Sequence, residues 1–263
     1  MKAEYKNWIP KRVVLGYVSG AAAFAAAGIA SFVCGERLPG TVKKIIRIVS
    51  GVGFAGFGLV SAWSVAARRQ FSYKGERKLM KSIVEGTAEY VNLPEGGTGL
   101  DVGCGSGALT IACAKRNPKA RFLGIDSWEG AYRTYGKALC EKNALAEGVH
   151  NASFQKGDAL NLGFPGETFD AVTSNYVYHN ITGVDRQKLI KETLRVLKKG
   201  GTFAIHDIMT RARYGDMRRL VKELREEGFE EVRIIPTDSG EFMTKKEAVW
   251  LTLSGSCLLT GKK

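Results

Sequence analysis

Histidine is scarce in this chain and cysteine is scattered: three histidines accompany five cysteines, Cys34, Cys104, Cys113, Cys140 and Cys257, with no C-x-x-C pair. That composition excludes a zinc site of ordinary ligand spacing, so no metal is expected, and the odd, dispersed set excludes a disulfide framework. The thiols read as reduced structural side chains of a cytosolic environment. Acidic residues are short as well, 26 against 39 lysines and arginines, for a formal net charge of +13. An excess of that size points to nucleic acid or an anionic membrane surface as a partner. With 44% hydrophobic residues, the 263-residue chain is not disordered and has length for one large domain or a medium domain with an appendage.

Charge is missing altogether from two stretches, Val13 to Cys34 over 22 residues and Ile48 to Ala67 over 20. Each is long enough to cross a bilayer's hydrocarbon core as a helix, and the spans are placed at about 13–34 and 46–67. The polar turn Gly35 to Lys44, with Pro39 and Gly40, makes them a helical hairpin occupying residues 1–70. The first run exceeds a signal-peptide core and a second follows at once. A buried helix pair in a soluble domain is the alternative, but Gly16, Gly20, Gly28, Gly51, Gly53, Gly56 and Gly58 suit lipid better than water. The Gly16-x-x-x-Gly20 spacing allows close helix approach, and the glycine-rich spans make a homo-oligomer possible. Trp8 and Trp63 are positioned as interfacial anchors. Lys and Arg flank both spans on every side, so charge gives no orientation; a cytosolic enzyme downstream requires both termini inside. Basic flanks against lipid headgroups would account for much of the net charge.

From residue 71 to 263 the pattern changes. A helical stripe, Leu79, Ile83, Val84, Ala88 and Val91, ends at Leu93-Pro94, and strands then alternate with helices. Strands are expected at 99–103, 121–126, 152–157, 169–174, 201–208, 231–235 and 248–258, with helices at about 107–116, 129–147, 185–197 and 216–227. Such alternation implies an α/β fold with a parallel sheet covered on both faces, and the last two strands, with no helix between them, form an antiparallel hairpin at one edge.

The organising stretch is Leu100-Asp101-Val102-Gly103-Cys104-Gly105-Ser106-Gly107-Ala108, an apolar strand turning through glycines spaced by two into a helix. Glycines there admit positive φ and let a ligand approach bare backbone, and the next helix's first N–H groups face it. Parallel sheets bind ligands beyond the carboxyl ends of their strands. Three more features fall at that edge. Asp126 ends the second strand, 23 residues after Gly103, where a carboxylate takes both hydroxyls of a ribose. Asp158, after the third strand, can accept from an exocyclic amine. Asn175 and Tyr176 follow the fourth. Singly, Asp126 also reads as a cap before Ser127 and Trp128, and Asp158 as a loop acid.

A dinucleotide fold wants G-x-G-x-x-G, whereas here the third glycine comes one residue early and Asp101 precedes the first. Together with Gly124-Ile125-Asp126, Gly157-Asp158-Ala159, Phe169-Asp170-Ala171-Val172 and Leu194 to Phe203, this pattern resembles the class I S-adenosylmethionine-dependent methyltransferases, in the group that includes the quinone-biosynthesis enzymes. The resemblance runs from about Gly75 to the C-terminus and leaves out the hairpin. It implies a Rossmann-like, seven-stranded, mostly parallel sheet with helices on both faces and an antiparallel last strand. It also implies S-adenosylmethionine as cofactor, with Asp101, Gly103, Cys104, Gly105 and Gly107 along the methionine part, Asp126 at the ribose, and Asp158 and Ala159 at the adenine. Ser127 stands where many relatives have an apolar residue that packs on adenine, and Trp128 follows it.

Methyl transfer requires positioning and exclusion of water. Asn175, Tyr176, Tyr178 and His179 fall where an acceptor belongs, and His179 or the pair His206-Asp207 can serve as a base. Arg211, Arg213, Arg218 and Arg219 read as a solvated face that can also meet lipid phosphate. No Asn-Pro-Pro-Tyr or Asp-Pro-Pro-Tyr follows the fourth strand, so no nucleic-acid partner is expected. The combined expectation is a membrane-anchored methyltransferase acting on a lipophilic small molecule or lipid, with the bilayer as its other partner. The alternatives are a methyltransferase of a membrane protein or peptide and a non-catalytic cofactor-binding module in a membrane complex.

Overall fold

The computed structural model describes residues 2–33, 38–129 and 135–263. These form two compact units, Asn7–Met80 and a larger one made of Met1–Lys6 with Lys81–Lys263. The expected end of the first span at Cys34, the turn residues Gly35 to Arg37, and residues 130–134 of the helix expected at about 129–147 lie outside the described residues; that helix begins only at Lys137.

In the smaller unit, α1 (Lys11–Val33) and α2 (Gly40–Phe71) pack side by side. At 23 and 32 residues they extend roughly 34 and 48 Å. The second helix therefore starts well before the expected residue 46 and takes in part of the polar turn. Pro39, with φ of −56°, caps it where a missing N–H costs nothing. The glycines also act differently from expectation. A Cβ on Gly16 would meet nothing within 4 Å, whereas the ring of Phe57 lies over Gly20 and the ring of Phe24 over Gly53, where any Cβ would come within about 2.5 Å of ring carbon. Phe24 and Phe57 stand 5.5 Å apart between centroids. The glycines thus admit aromatic rings instead of a neighbouring backbone. Asn7 Nδ2 donates to Arg68 O at 2.9 Å, and the Arg68 guanidinium donates to Ile9 O, pinning one end of the hairpin. Of 21 exposed large apolar side chains among the described residues, 17 lie between Val13 and Val65. A buried helix pair would hide them.

The larger unit is built on a seven-stranded sheet in the order β3-β2-β1-β4-β5-β7-β6. Its strands are β1 (Thr98–Val102), β2 (Arg121–Asp126), β3 (Ala152–Lys156), β4 (Phe169–Asn175), β5 (Leu197–Ile208), β6 (Glu230–Pro236) and β7 (Ser256–Lys262). β1 to β5 are mutually parallel, and β7 runs antiparallel between β5 and β6. This is a Rossmann-like, mostly parallel sheet with one reversed strand, and two apolar helices precede it in the sequence. The helices are α3 (Leu79–Ala88), α4 (Ala108–Arg116), α5 (Lys137–Ala146), α6 (Arg186–Arg195), α7 (Arg211–Tyr214), α8 (Met217–Glu226) and α9 (Lys245–Trp250). One core cluster contains Leu100, Val172, Leu194, Phe203 and Leu220, and another Val84, Val91, Leu109, Phe122 and Phe154.

The expected strand over 248–258 is wrong from 248 to 255; only its last three residues belong to β7, which continues to Lys262. Thr244 Oγ1 accepts from Glu247 N and the Glu247 carboxylate accepts from Thr244 N, a capping box that starts α9. Gly255 at φ +85° then turns the chain into β7. A wide turn at Thr237–Glu241 and α9 therefore separate β6 and β7, and the reversed strand is one place in from the sheet edge. The pairing of the two strands is antiparallel as expected.

Candidate active site

The order of the sheet reverses direction between β1 and β4, and the glycine turn leaves β1 at that point. Gly103 N and Cys104 N both donate to Ile125 O, at 2.8 and 3.0 Å, which stitches the turn to β2. Gly103, Gly105 and Gly107 have φ of +75°, +57° and +81°, a region closed to most side chains. A Cβ on Gly103 would stand 2.3 Å from Val177, and one on Gly107 2.9 Å from Phe154. At Gly105 the nearest atom is Tyr135 carbon at 3.6 Å, so this is the open position of the turn.

Asp126 reaches from the end of β2 to that open position. Its Oδ2 accepts from Gly105 N at 2.9 Å and its Oδ1 from Trp128 N at 2.7 Å. Each carboxylate oxygen keeps further acceptor capacity. Trp128 folds back so that Nε1 donates to Gly105 O at 2.9 Å, while Ser127 is exposed. Asp158 is exposed, and its Oδ1 accepts from Leu160 N at 2.9 Å; Ala159 is half-buried against the core. The cradle of positive-φ glycines with a carboxylate over it fits a nucleoside cofactor that presents hydroxyls to Asp126 and a charged group to the turn.

Beneath the turn, Asp101 is buried and accepts from Thr110 Oγ1 at 2.6 Å and Thr173 Oγ1 at 3.0 Å. Burial pushes its carboxyl up to about 6, against the opposing pull of the two threonine hydroxyls. Gly124 makes room for this arrangement, since a Cβ there would stand 2.7 Å from Thr110 Oγ1. With the folded-state pKa above the ordinary value, Asp101 contributes stability that is full below about pH 4 and lost as pH rises through about 6. Asp101→Asn is neutral throughout. Differential scanning fluorimetry without ligand should find the variant more stable than wild type at pH 7.5, by at most roughly 3 kcal/mol, and level with it near pH 4. A pH-independent difference would contradict this account of Asp101.

Burial also holds the Cys104 and Cys113 thiols well above their ordinary values, and Cys104, Cys113, Cys140 and Cys257 are all free. Burial raises Cys257 as well, so Cys104, Cys113 and Cys257 are protonated packing groups.

The second cluster forms where β4 and β5 end. His179 Nδ1 lies 2.5 Å from Asp207 Oδ1, and His179 N donates to Asp207 Oδ2 at 3.1 Å. Tyr214 Oη donates to the same carboxylate at 2.8 Å and Ile208 N at 2.7 Å. Burial alone raises Asp207, but the His179 ring, the Tyr214 hydroxyl and the Ile208 N–H outweigh it and hold the carboxyl below its usual value. An ionised Asp207 accepts from His179 Nδ1–H, which leaves Nε2 as the ring nitrogen outside the pair. Arg186 fixes the backbone here: Nε donates to Tyr178 O at 3.1 Å and Nη2 to Ile181 O at 3.1 Å.

Two expectations change at this edge. His206 and Asp207 do not act as a pair, because adjacent residues of a strand point to opposite faces. His206 is buried between Asn175 Oδ1 and Thr237 Oγ1, both at 2.7 Å, and burial pushes its imidazole down to about 3, so it stays neutral. Tyr178, expected beside the acceptor, is instead fully buried, and its hydroxyl pairs with Thr193 Oγ1 in the core. Tyr176 remains at the edge with φ of +54°, a strained value for a non-glycine residue. Its N–H donates to His206 O at 2.8 Å and its hydroxyl pairs with Ser256 Oγ at 2.7 Å. Thr110, Thr173, Arg186, Tyr214 and Thr237 escaped sequence reasoning. Thr110 and Thr173 were the most detectable, as polar groups inside apolar runs that need buried partners.

Fold and site together define a Rossmann-like domain with a nucleoside-cofactor cradle and a histidine–carboxylate pair beyond adjacent strand ends. Residues 100–205 match the methyltransferase domain family. The chain is 34% identical over 112 residues to a demethylmenaquinone methyltransferase of Geobacillus stearothermophilus, a match covering 42% of this chain and 45% of that protein. It is 33% identical over 127 residues to the sterol 24-C-methyltransferase erg6 of Aspergillus fumigatus, covering 48% of this chain and 32% of that protein. The chain thus spans less than half the length of these curated relatives. Among solved structures, the [4+2]-cyclase SpnF superposes with a TM-score of 0.54 at 22% identity, over 71% of this chain and 82% of that one, a likeness of fold alone.

Proposed function

We propose that the protein transfers a methyl group from S-adenosylmethionine to a lipophilic small molecule or lipid, held at a bilayer by its N-terminal hairpin. The observation that carries the reading is the Asp126 carboxylate hydrogen-bonded at 2.9 Å to the open glycine of the β1–α4 turn, at the sheet's switch point. The methyltransferase-domain match over the same residues supports it. The cofactor, when bound, supplies an electrophilic methyl group on a sulfonium.

The chain's own residues supply the rest. Asp126 binds the ribose hydroxyls, and the Gly103–Gly107 turn with Asp101 behind it receives the amino-acid end. Trp128, tied to Gly105 O, and Asp158 with Ala159 flank the base. Asn175 and Tyr176 line the approach to the methyl group. His179, its tautomer held by Asp207, takes a proton from the acceptor at Nε2.

A lipophilic acceptor is supported by two independent features. The curated relatives are named for quinone and sterol methylation. The hairpin leaves 16 large apolar side chains exposed along two helices long enough to span a bilayer. With two spans, both termini and the enzymatic unit lie on one side, the cytoplasmic side where S-adenosylmethionine is made available.

Purified full-length protein incubated with isotopically labelled S-adenosylmethionine and a total lipid extract should yield a labelled lipid-soluble product by mass spectrometry. Label found only in protein would instead support methylation of a membrane protein. Residues 7–80 fused to a soluble reporter should carry it into alkali-resistant membrane fractions; a freely soluble reporter would sink the anchor.

A further inference from the structure

We infer that the segment ahead of the first apolar helix is a strap that forms part of the cofactor site, with Asn143 as the positioning residue linking it to the glycine turn; the inference rests on the S-adenosylmethionine reading. Residues 2–6 pack with the enzymatic unit although the hairpin separates them from it in sequence. Glu4 N donates to Asn143 Oδ1 at 2.7 Å, and Asn143 Nδ2 donates back to Glu4 O at 3.3 Å. The same Nδ2 donates to Ser106 O, inside the glycine turn, at 3.0 Å. Asn143 is fully buried in the interior of α5, where asparagine is a poor helix former and a buried amide must find partners. Its partners are one carbonyl of the turn and both backbone groups of Glu4.

One helical turn earlier, Cys140 Sγ donates to Gly105 O at 3.3 Å, so α5 grips two consecutive carbonyls of the turn. With those two carbonyls held by α5, the path of the turn from Gly105 to Ser106 is fixed beneath the Asp126 carboxylate that takes Gly105 N. Tyr5 packs on the apolar cluster that contains Cys104, Leu109 and Cys140, which fastens the strap beside this grip. Lys6 is followed directly by Asn7, the first residue of the hairpin unit, so anchoring and cofactor binding share one length of backbone.

Glu4→Pro removes the donor to Asn143 and leaves the Glu4 carbonyl in place. In the full-length protein, calorimetry should give S-adenosylmethionine affinity about fivefold weaker, with KM for the cofactor raised by the same factor and kcat unchanged. Hydrogen exchange in the 103–110 peptide should quicken. Because both groups act through one contact, Glu4→Pro added to Asn143→Ala should cost nothing beyond Asn143→Ala alone. Lys222→Ala, which breaks the exposed Lys222–Glu226 ion pair on α8, should change neither quantity. Wild-type affinity and exchange in Glu4→Pro overturn the inference, as do additive effects of the two substitutions. If Asn143→Ala does not fold, Glu4→Pro decides alone. Should the wild-type protein bind no S-adenosylmethionine, the cofactor reading fails, and the exchange measurement still decides whether the strap orders the turn.

Discussion

Asp126→Ala is expected to weaken S-adenosylmethionine binding by roughly 100-fold, about 3 kcal/mol, in calorimetry on the full-length protein. The carboxylate does two things at once. It holds Gly105 N and Trp128 N, and its remaining lone pairs take the ribose hydroxyls. Alanine removes the ribose contacts and also frees the open glycine and the indole that lies over it. A charge-assisted hydrogen bond contributes about 1.5–3 kcal/mol, so losing two to the ligand dominates the effect. Asp158→Ala should cost far less, since Asp158 is exposed and its visible bond is to its own loop at Leu160 N. Circular dichroism should show both variants folded. Equal affinity in Asp126→Ala and wild type removes the ribose assignment and the cofactor reading with it.

The contrast between Asp126 and Asp158 shows what was legible in the sequence. A carboxylate at the end of a strand, spaced from a glycine turn, is a local pattern, and the strands that carry it came out within a residue or two of their expected bounds. The 3.6-residue stripe and the period of strand and helix fixed the parallel part of the sheet because burial on both faces writes itself into apolar runs. The β6–β7 region was misread for an equally local reason. Val249-Trp250-Leu251-Thr252-Leu253 looks extended when read by hydrophobicity, and only the Thr244–Glu247 capping box reveals a helix start.

The site's supporting contacts were not legible. Asn143 meets Glu4 across 139 residues, and Asp101 meets Thr173 across 72. Nothing near either partner announces the other; the sheet order brings them together, and only the requirement that a buried polar group be paired hints that a partner exists. The same limit led the adjacent His206 and Asp207 to be read as a unit, when strand geometry sends them to different partners. His206 is fastened neutral between Asn175 and Thr237, whereas Asp207 belongs to His179, 28 residues earlier.

That partnership makes His179→Ala the other substitution with a large expected effect. For an acceptor that sheds a proton, removing a general base lowers kcat by about 10²–10⁴-fold, while affinity for S-adenosylmethionine should stay within about twofold of wild type. Asp207→Asn keeps the shape but withdraws the anion that selects the Nδ1–H tautomer, so kcat should fall less than in His179→Ala. Asp207 has a separate signature in stability. Its folded-state value lies below the ordinary carboxylate range, so its contribution is complete above about pH 4 and is lost as pH falls through the folded value. Asp207→Asn should therefore be less stable than wild type at pH 7, and the gap should close under acid. A purely structural role for Asp207 predicts the same stability change with wild-type kcat. Wild-type kcat in His179→Ala would mean that the acceptor needs no base, as expected of a nucleophile that carries no proton to lose.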